Sequence, residues 1–446
     1  MTEEKNETGL SRRDFIKTVG MAAAATSAVS MVVPEDAFAA SKLKVGFMGP
    51  FTGPASRTGD MHRKGVEMAL EDARAAGEIP VKIKGKKLDI DPVWVDSQSS
   101  PEKSVKAVTQ AINRGVKLMV TGWHSSVAMA VMDAESPYKI VHIGHGGESQ
   151  YINFKINDNP EKYKGWFKGW ASPPIYAGLY GPPLKYFMEK GLWKPKNKKA
   201  AILVEDTDYG RGWGEALMVS LRTAGFDVMP FDVNAIDETE FTPLITKYKA
   251  ADVSVMALTQ TGGVGMYNII KQIRAMGLKA LVIGHGLQWT SEWYQNTKEA
   301  SDYTLCMDSP FAGKNPDQKA WMKRFKDKFG EDPSLAPAGQ PYDFTRLTIK
   351  VLNEVGSLDF EKLCTHFREK VKYQGVWQFI DFATYNDFWT DFSGEGTLHQ
   401  LSRNDVRTGN VGKGFFFPLV QMMGGKPKIL WPTELAEGEF KAPPWL

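Results

Sequence analysis

Short apolar strands alternating with amphipathic helices, a pattern that the chain runs through twice, constrain this sequence more than any other feature. Leu43-Lys44-Val45-Gly46-Phe47-Met48 reads as a strand that stops at the turn residues Gly49-Pro50. Val66, Ala69, Leu70 and Ala73 follow at the i, i+3, i+4, i+7 spacing of a helix lying on a sheet, and Gly77 ends it. Strand Val93-Trp94-Val95 leads to Ser100-Pro101-Glu102, a cap residue followed by proline at the first helical position. A strand from Lys117 to Val120, a helix from Ser125 and a strand from Lys139 to Ile143 continue the series. Such alternation predicts an α/β fold with a parallel sheet covered by helices.

Between Asn157 and Pro183 tryptophan, lysine, glycine and proline crowd together, which reads as a crossover. The pattern then restarts with strand Ala200 to Val204, a helix presenting Trp213, Leu217, Leu221 and Ala224, and a strand from Asp227 to Phe231. Strands Val253 to Leu258 and Leu281 to Ile283 flank a helix around Tyr267 to Ala275. An apolar strand after Tyr303 and helices near Lys319 and Thr345 precede an aromatic-rich tail without a clear pattern.

At the N-terminus, Ser11-Arg12-Arg13-Asp14-Phe15-Ile16-Lys17 precedes an uncharged run from Thr18 to Val33, and Ala37-Phe38-Ala39 supplies small residues for cleavage. This resembles a twin-arginine export signal, residues 1–39, and implies a periplasmic mature protein. The run is shorter than the ~20 residues that cross a bilayer. The whole chain has 55 basic and 52 acidic residues; removing the signal takes four and six of them, leaving 51 and 46. So small and dispersed a surplus supports neither a nucleic-acid nor a membrane-surface partner. Cys306 and Cys364 are the only cysteines, too few for a disulfide scaffold or a thiolate metal site, although an exported protein can join them.

Five segments together carry a resemblance: Val45 to Pro54 with Gly59-Asp60; Asp96 with Ser100-Pro101-Glu102-Lys103; Gly122-Trp123-His124-Ser125-Ser126; Glu205-Asp206-Thr207-Asp208-Tyr209-Gly210; and Phe241-Thr242-Pro243-Leu244-Ile245 leading to Ala251-Asp252-Val253. In this order the chain resembles the leucine/isoleucine/valine-type periplasmic binding proteins, type I of the periplasmic-binding fold. The resemblance implies two Rossmann-like lobes joined by three crossovers, with 43–168 plus 303–412 in the first and 169–302 plus 413–446 in the second. It also implies a small-molecule ligand captured between them by hinge closure, delivery to the permease and ATPase of an ABC importer, a monomer, no cofactor and no catalysis.

Candidate ligand residues follow from place. Ser125 and Ser126 stand where a strand gives way to a helix, so their hydroxyls and nearby N–H groups suit a carboxylate; the ordinary alternative is a helix cap. Trp123 adjoins them, and Gly146, Gly147 and Glu148 follow the next strand. In the second half Tyr209 matches the family's ligand-facing tyrosine; Gln260 and Thr261 follow one strand, and His285, Gln288 and Trp289 another. Tyr342, after Gly339-Gln340-Pro341, is placed at the cleft near a crossover. The family's acidic partner for an α-ammonium falls on Gly265 here, so Glu148 or Asp206 takes that role or the ligand has no amino group. The expected ligand is a small carboxylate with an apolar or aromatic remainder, branched-chain amino acids first and other organic acids next. Amides or urea, a metal chelate held by His124, His145, His285 and Glu148, and a sensing role for a signalling receptor are the alternatives. No GxSxG, HExxH or phosphate-binding loop is present, and Gly262-Gly263-Val264-Gly265 lacks dinucleotide spacing.

Overall fold

The computed structural model describes residues 41–174, 180–261, 263–307, 316–382, 418–433 and 436–446. The expected export segment at 1–39 and the end of the expected first lobe, 383–412, lie outside them. Six strands form the first sheet: β1 Ser41–Gly49, β2 Val81–Ile83, β3 Lys86–Asp96, β4 Leu118–Val120, β5 Val141–His145 and β6 Trp166–Lys168, in the order β2-β3-β1-β4-β5-β6. All neighbours are parallel except β2 and β3. The second sheet takes β7 Lys199–Glu205, β8 Asp227–Val228, β9 Asp232–Asn234, β10 Val255–Thr259, β11 Leu281–His285 and β12 Leu305–Met307. A two-stranded pair, β13 Tyr373–Gln374 and β14 Phe379–Ile380, stands apart, and β15 Leu419–Met423 with β16 Lys426–Trp431 adds an antiparallel edge to the second sheet. Its order is β16-β15-β12-β11-β10-β7-β8, with β9 also on β7.

In both sheets the first strand in sequence lies inside, with later strands added on either side: β1 between β3 and β4, β7 between β8 and β10. The loops leaving these strands therefore diverge to opposite faces and leave a crevice at their carboxyl ends. Register sharpens the second crevice, because Val204, Thr259 and His285 stand level across β7, β10 and β11. At the first, Asp96 ends β3 opposite Gly49 and ties down the departing loop through Thr52 N (3.1 Å) and Thr52 Oγ1 (2.7 Å).

Local chemistry accounts for the helices that cover the sheets. Ser100 caps helix Pro101–Asn113 by accepting from Lys103 N, and Thr207 caps helix Asp208–Thr223 by accepting from Gly210 N at 3.1 Å. Helix Ser56–Ala75 lies against helix Leu335–Val355, and Gly65 permits the approach: a Cβ there would stand 2.1 Å from the Ala338 carbonyl oxygen.

Several expectations are corrected. Strand β12 pairs with β11, so the sheet of the second lobe continues through Met307 rather than ending at 302. The single strand expected over Asp227 to Phe231 is two short ones, β8 and β9, both parallel to β7. The question the sequence leaves open for the two cysteines has an answer: they form no disulfide and are buried in different core clusters, Cys306 in the second sheet and Cys364 in helix Phe360–Glu369.

Candidate functional site

The loops after β4 and β5 meet the loops after β7, β10 and β11 at one small pocket. Trp123, His124, Ser125, Gly146, Glu148, Tyr209, Thr261 and Trp289 line it. The pocket measures about 220 Å³ with its mouth included, below the roughly 300–1,000 Å³ of drug-sized sites. In this conformation there is room inside for about one water molecule. Its aromatic rings come from both sheets. Trp123 meets Trp289 edge to face at 5.2 Å between centroids, and Tyr209 lies 5.7 Å from Trp289.

Two helices begin at this place. Thr121 (φ 68°) and Gly122 (φ 141°) turn the chain out of β4, and helix Ser125–Glu135 starts after His124, whose side chain does not cap it. Ser125 Oγ accepts from Ser149 N (3.1 Å), and Ser126 Oγ accepts from Asp208 N (3.2 Å) at the start of the opposing helix. Each hydroxyl uses a lone pair in these bonds and keeps its own O–H to donate. The first turns of both helices add positive partial charge.

Glu148 is the polar centre. Its side chain is buried, and Oε2 accepts from Trp213 Nε1 at 2.8 Å while Oε1 lies 3.3 Å from His285 Nε2. Its carbonyl accepts from Lys168 Nζ (2.7 Å), which also reaches Asn153 Oδ1 (2.9 Å) and Ser172 Oγ. Burial among these groups holds the lysine well below its usual range, with Glu148 acting in the opposite sense. Behind Thr261, Glu205 accepts from Thr261 N (2.5 Å), Thr261 Oγ1 (2.6 Å) and Thr207 Oγ1 (2.8 Å). Its pKa is raised by burial. Tyr209 Oη bonds Thr259 Oγ1, and burial, then Glu148 and Glu205, push the phenol well up.

A cluster of histidines backs the pocket in the first lobe. His142 is held by Glu135 (2.9 Å) and by the Thr121 carbonyl (2.6 Å), and His145 Nδ1 accepts from Gly147 N (3.0 Å). Both ring nitrogens of His62 and of His124 are buried without a hydrogen bond of good geometry. Burial lowers their pKa values to about 3 and about 4, and that of His145 well below 6.5. Neutral imidazoles, not cations, therefore surround Trp123.

The lobes are also joined at the rim. Glu215 accepts from Gln150 Nε2 (2.9 Å) and Tyr151 Oη (2.6 Å), and Arg57 Nε donates to Glu292 Oε1 (2.7 Å).

Of the residues singled out in the sequence, the structure brings Trp123, Ser125, Gly146, Glu148, Tyr209, Thr261 and Trp289 to the pocket wall. Ser126, Gly147 and His285 support it from one layer back through the bonds just given. Three are corrected. Gln260 pairs with the Asn234 amide (2.8 and 3.1 Å), and Gln288 Nε2 points to Met422 Sδ at 3.1 Å in the second sheet. Tyr342 packs on Trp321 and donates to Asp72 Oδ2 (2.6 Å), because helix Leu335–Val355, which carries it, runs on through Pro341 and packs against helix Ser56–Ala75 rather than ending at the cleft. Gly265 is off the pocket wall; a Cβ there would face the Glu238 carbonyl and Gln260 Oε1. The residues named for the metal-chelate alternative are not gathered into a site, since no three His, Cys, Asp or Glu among the described residues are grouped to hold an ion. The sequence placed His124 at the cleft only as part of the metal-chelate alternative, and missed Trp213 as a hydrogen-bond donor because helical spacing marks it only as core.

Comparison with known proteins agrees with this architecture. The chain is 26% identical over 332 residues to the leucine-, isoleucine-, valine-, threonine- and alanine-binding protein of Pseudomonas aeruginosa, covering 74% of this chain and 83% of that one. It is 25% identical over 323 residues to Leu/Ile/Val-binding protein homolog 3 of Brucella melitensis, covering 72% and 77%. Among solved structures it resembles a putative branched-chain amino acid ABC transporter protein from Silicibacter pomeroyi (TM-score 0.73, 18% identity, 91% and 100% covered). A solute-binding protein from R. palustris in complex with benzoate is also similar (TM-score 0.67, 18% identity, 87% and 96% covered). These relatives are solute-binding proteins, and no helix among the described residues is long and apolar enough to cross a membrane. The profile of the periplasmic binding protein family matches residues 42–391, more than half of the sequence, and the chain belongs to that family.

Proposed function

We propose that the protein is exported by the twin-arginine route with cleavage near Ala39, works as a periplasmic monomer, and hands its ligand to the permease and ATPase of an ABC importer without transforming it. The ligand is a small carboxylate with an apolar or aromatic body, a branched-chain amino acid or a similar organic acid. The observation that supports this best is the pocket's make-up: the start of helix Ser125–Glu135, with Ser125 and Ser126, faces the start of helix Asp208–Thr223, and Trp123, Tyr209 and Trp289 stand between. Hydroxyls and helix N-termini suit the carboxylate, and the rings suit its body. The named ligands of the relatives, branched-chain amino acids and benzoate, fit that description.

A thermal-shift screen across amino acids, organic acids and amides tests the reading, since a ligand at 100 times its Kd adds about 2.7 kcal/mol of stability. The best hit is expected to carry a carboxylate and to weaken in Ser126→Ala and Tyr209→Ala. Neutral hits without a carboxylate, or unchanged binding in both variants, defeat it. Export is tested separately: replacing Arg12 and Arg13 with lysine is expected to hold precursor in the cytoplasm. Mature protein still reaching the periplasm would rule out the twin-arginine route.

A further inference from the structure

Tyr180 stands where the chain enters the second lobe, as the residue before helix Gly181–Glu189, and its ring is buried with Trp213 edge-on at 6.3 Å between centroids. Its hydroxyl donates to the Gly284 carbonyl and accepts from Met307 N (2.9 Å). A carbonyl only accepts and an amide N–H only donates, so both directions are settled. Gly284 belongs to β11 and Met307 to β12, and in register His285 stands beside Met307. One side chain from outside the sheet therefore joins the carboxyl ends of two neighbouring strands.

Those strand ends carry part of the pocket. The Met307 carbonyl meets His285 Nδ1 (2.9 Å), His285 lies edge to face with Trp289 at 5.1 Å, and Trp289 is on the pocket wall. Tyr180 does not line the pocket, yet Met307 and His285 connect it to that wall. Its own place is fixed from the other side. Gly181 N donates to Ser220 Oγ (2.9 Å), and a Cβ on Gly181 would stand 2.5 Å from the Ser220 carbonyl oxygen, so the chain has no slack here. Ser220 lies on helix Asp208–Thr223, whose first turn supplies Tyr209 to the same pocket. Strand ends fray first, because no ladder bond lies beyond them. A hydroxyl bonded to both strands stops the fraying where the pocket begins.

We propose that Tyr180 is a positioning residue for solute binding: its hydroxyl holds the ends of β11 and β12, and through them the His285 and Trp289 rings, in the arrangement that the solute meets. Without it those rings sample other arrangements, and the solute has to order them as it binds. The inference rests on the cleft as the binding place and not on which solute is bound.

Tyr180→Phe keeps the ring and deletes only the hydroxyl. Tyr248→Phe is the control, because that phenol is buried in the same lobe but donates to Asp232 Oδ2 (2.7 Å), off the pocket wall. Both variants are expected to lose some resistance to urea. Only Tyr180→Phe is expected to weaken binding of L-leucine or benzoate, whichever the wild type takes up, by about tenfold and mainly through faster dissociation. Amide exchange in peptides covering β11 and β12 is expected to quicken about tenfold in solute-free Tyr180→Phe and to keep its wild-type rate in Tyr248→Phe. Affinity within about twofold of the wild type, unchanged exchange, or an equal loss of affinity in the control overturns the proposal. If neither solute binds the wild type, the ligand reading above suffers and the exchange rates alone decide on Tyr180. If Tyr180→Phe does not fold, the Met307 amide of the wild-type protein decides: exchange as slow as in β10 supports the clasp, and exchange as fast as at an unbonded strand end overturns it.

Discussion

Between pH 6.5 and about 4 the protein is expected to lose most of its stability, ahead of the general titration of its carboxylates. His62 and His124 are fully buried with pKa values lowered to about 3 and about 4, and His145 is lowered as well. The unfolded chain takes up protons on these rings near pH 6.5, whereas the folded chain resists until much lower pH. More protons on the unfolded side means that stability is full above pH 6.5 and falls as pH drops toward the folded values. Each ring contributes up to about 1.4 kcal/mol per pH unit in that window, and three together can exhaust a domain's usual margin of about 5–15 kcal/mol. Urea midpoints at pH 7, 6, 5 and 4.5 check this. The midpoint should drop steadily, and His62→Leu should flatten the slope, since that ring has no well-formed hydrogen bond to lose. A flat midpoint across the window sinks the argument.

Trp213→Ala is expected to lower stability by about 3–5 kcal/mol, the usual range for emptying a large aromatic site in a core. The ring is fully buried and stacks on His285 at 4.5 Å, inside a cluster shared by both lobes. Trp213→Phe keeps most of that packing but removes the donor to Glu148 Oε2, and an acceptor stranded in the interior costs about 1–3 kcal/mol. Chemical denaturation of the two variants separates packing from hydrogen bonding. A phenylalanine variant as stable as the wild type would mean that the Glu148 contact contributes nothing, and an alanine variant within about 1 kcal/mol of it would mean that the shared core is not formed.

Much of this architecture was legible because its signals are periodic. The i, i+3, i+4 face of Val66, Ala69, Leu70 and Ala73 and the cap at Ser100 produced helices where expected. In the aromatic wall Trp123 and Trp289 were reached by position, each following a strand's carboxyl end, and Tyr209 through the family resemblance as well. What periodicity does not carry is the direction of loop side chains and the identity of distant partners. Gln288 sits in a tight turn after Gly286 (φ 97°), which sends it to the second sheet while its neighbour Trp289 turns to the pocket. Glu148 and Trp213 are 65 residues apart, and nothing local to either announces the other. Tyr342 was placed by its nearness to a crossover, whereas its helix runs on through Pro341 and sets the ring against Trp321.

The hydrogen bonds stitched along the rim have a kinetic meaning. Glu215 with Gln150 and Tyr151, Arg57 with Glu292, and Ser126 with the Asp208 amide all tie one lobe to the other around a pocket that has room for about one water molecule. These must part before anything larger than water gets in. Capture is then timed by a gate rather than by collision, so its rate levels off as solute becomes abundant instead of climbing with it. The same bonds, once re-formed around a solute, slow its escape as they slow its entry.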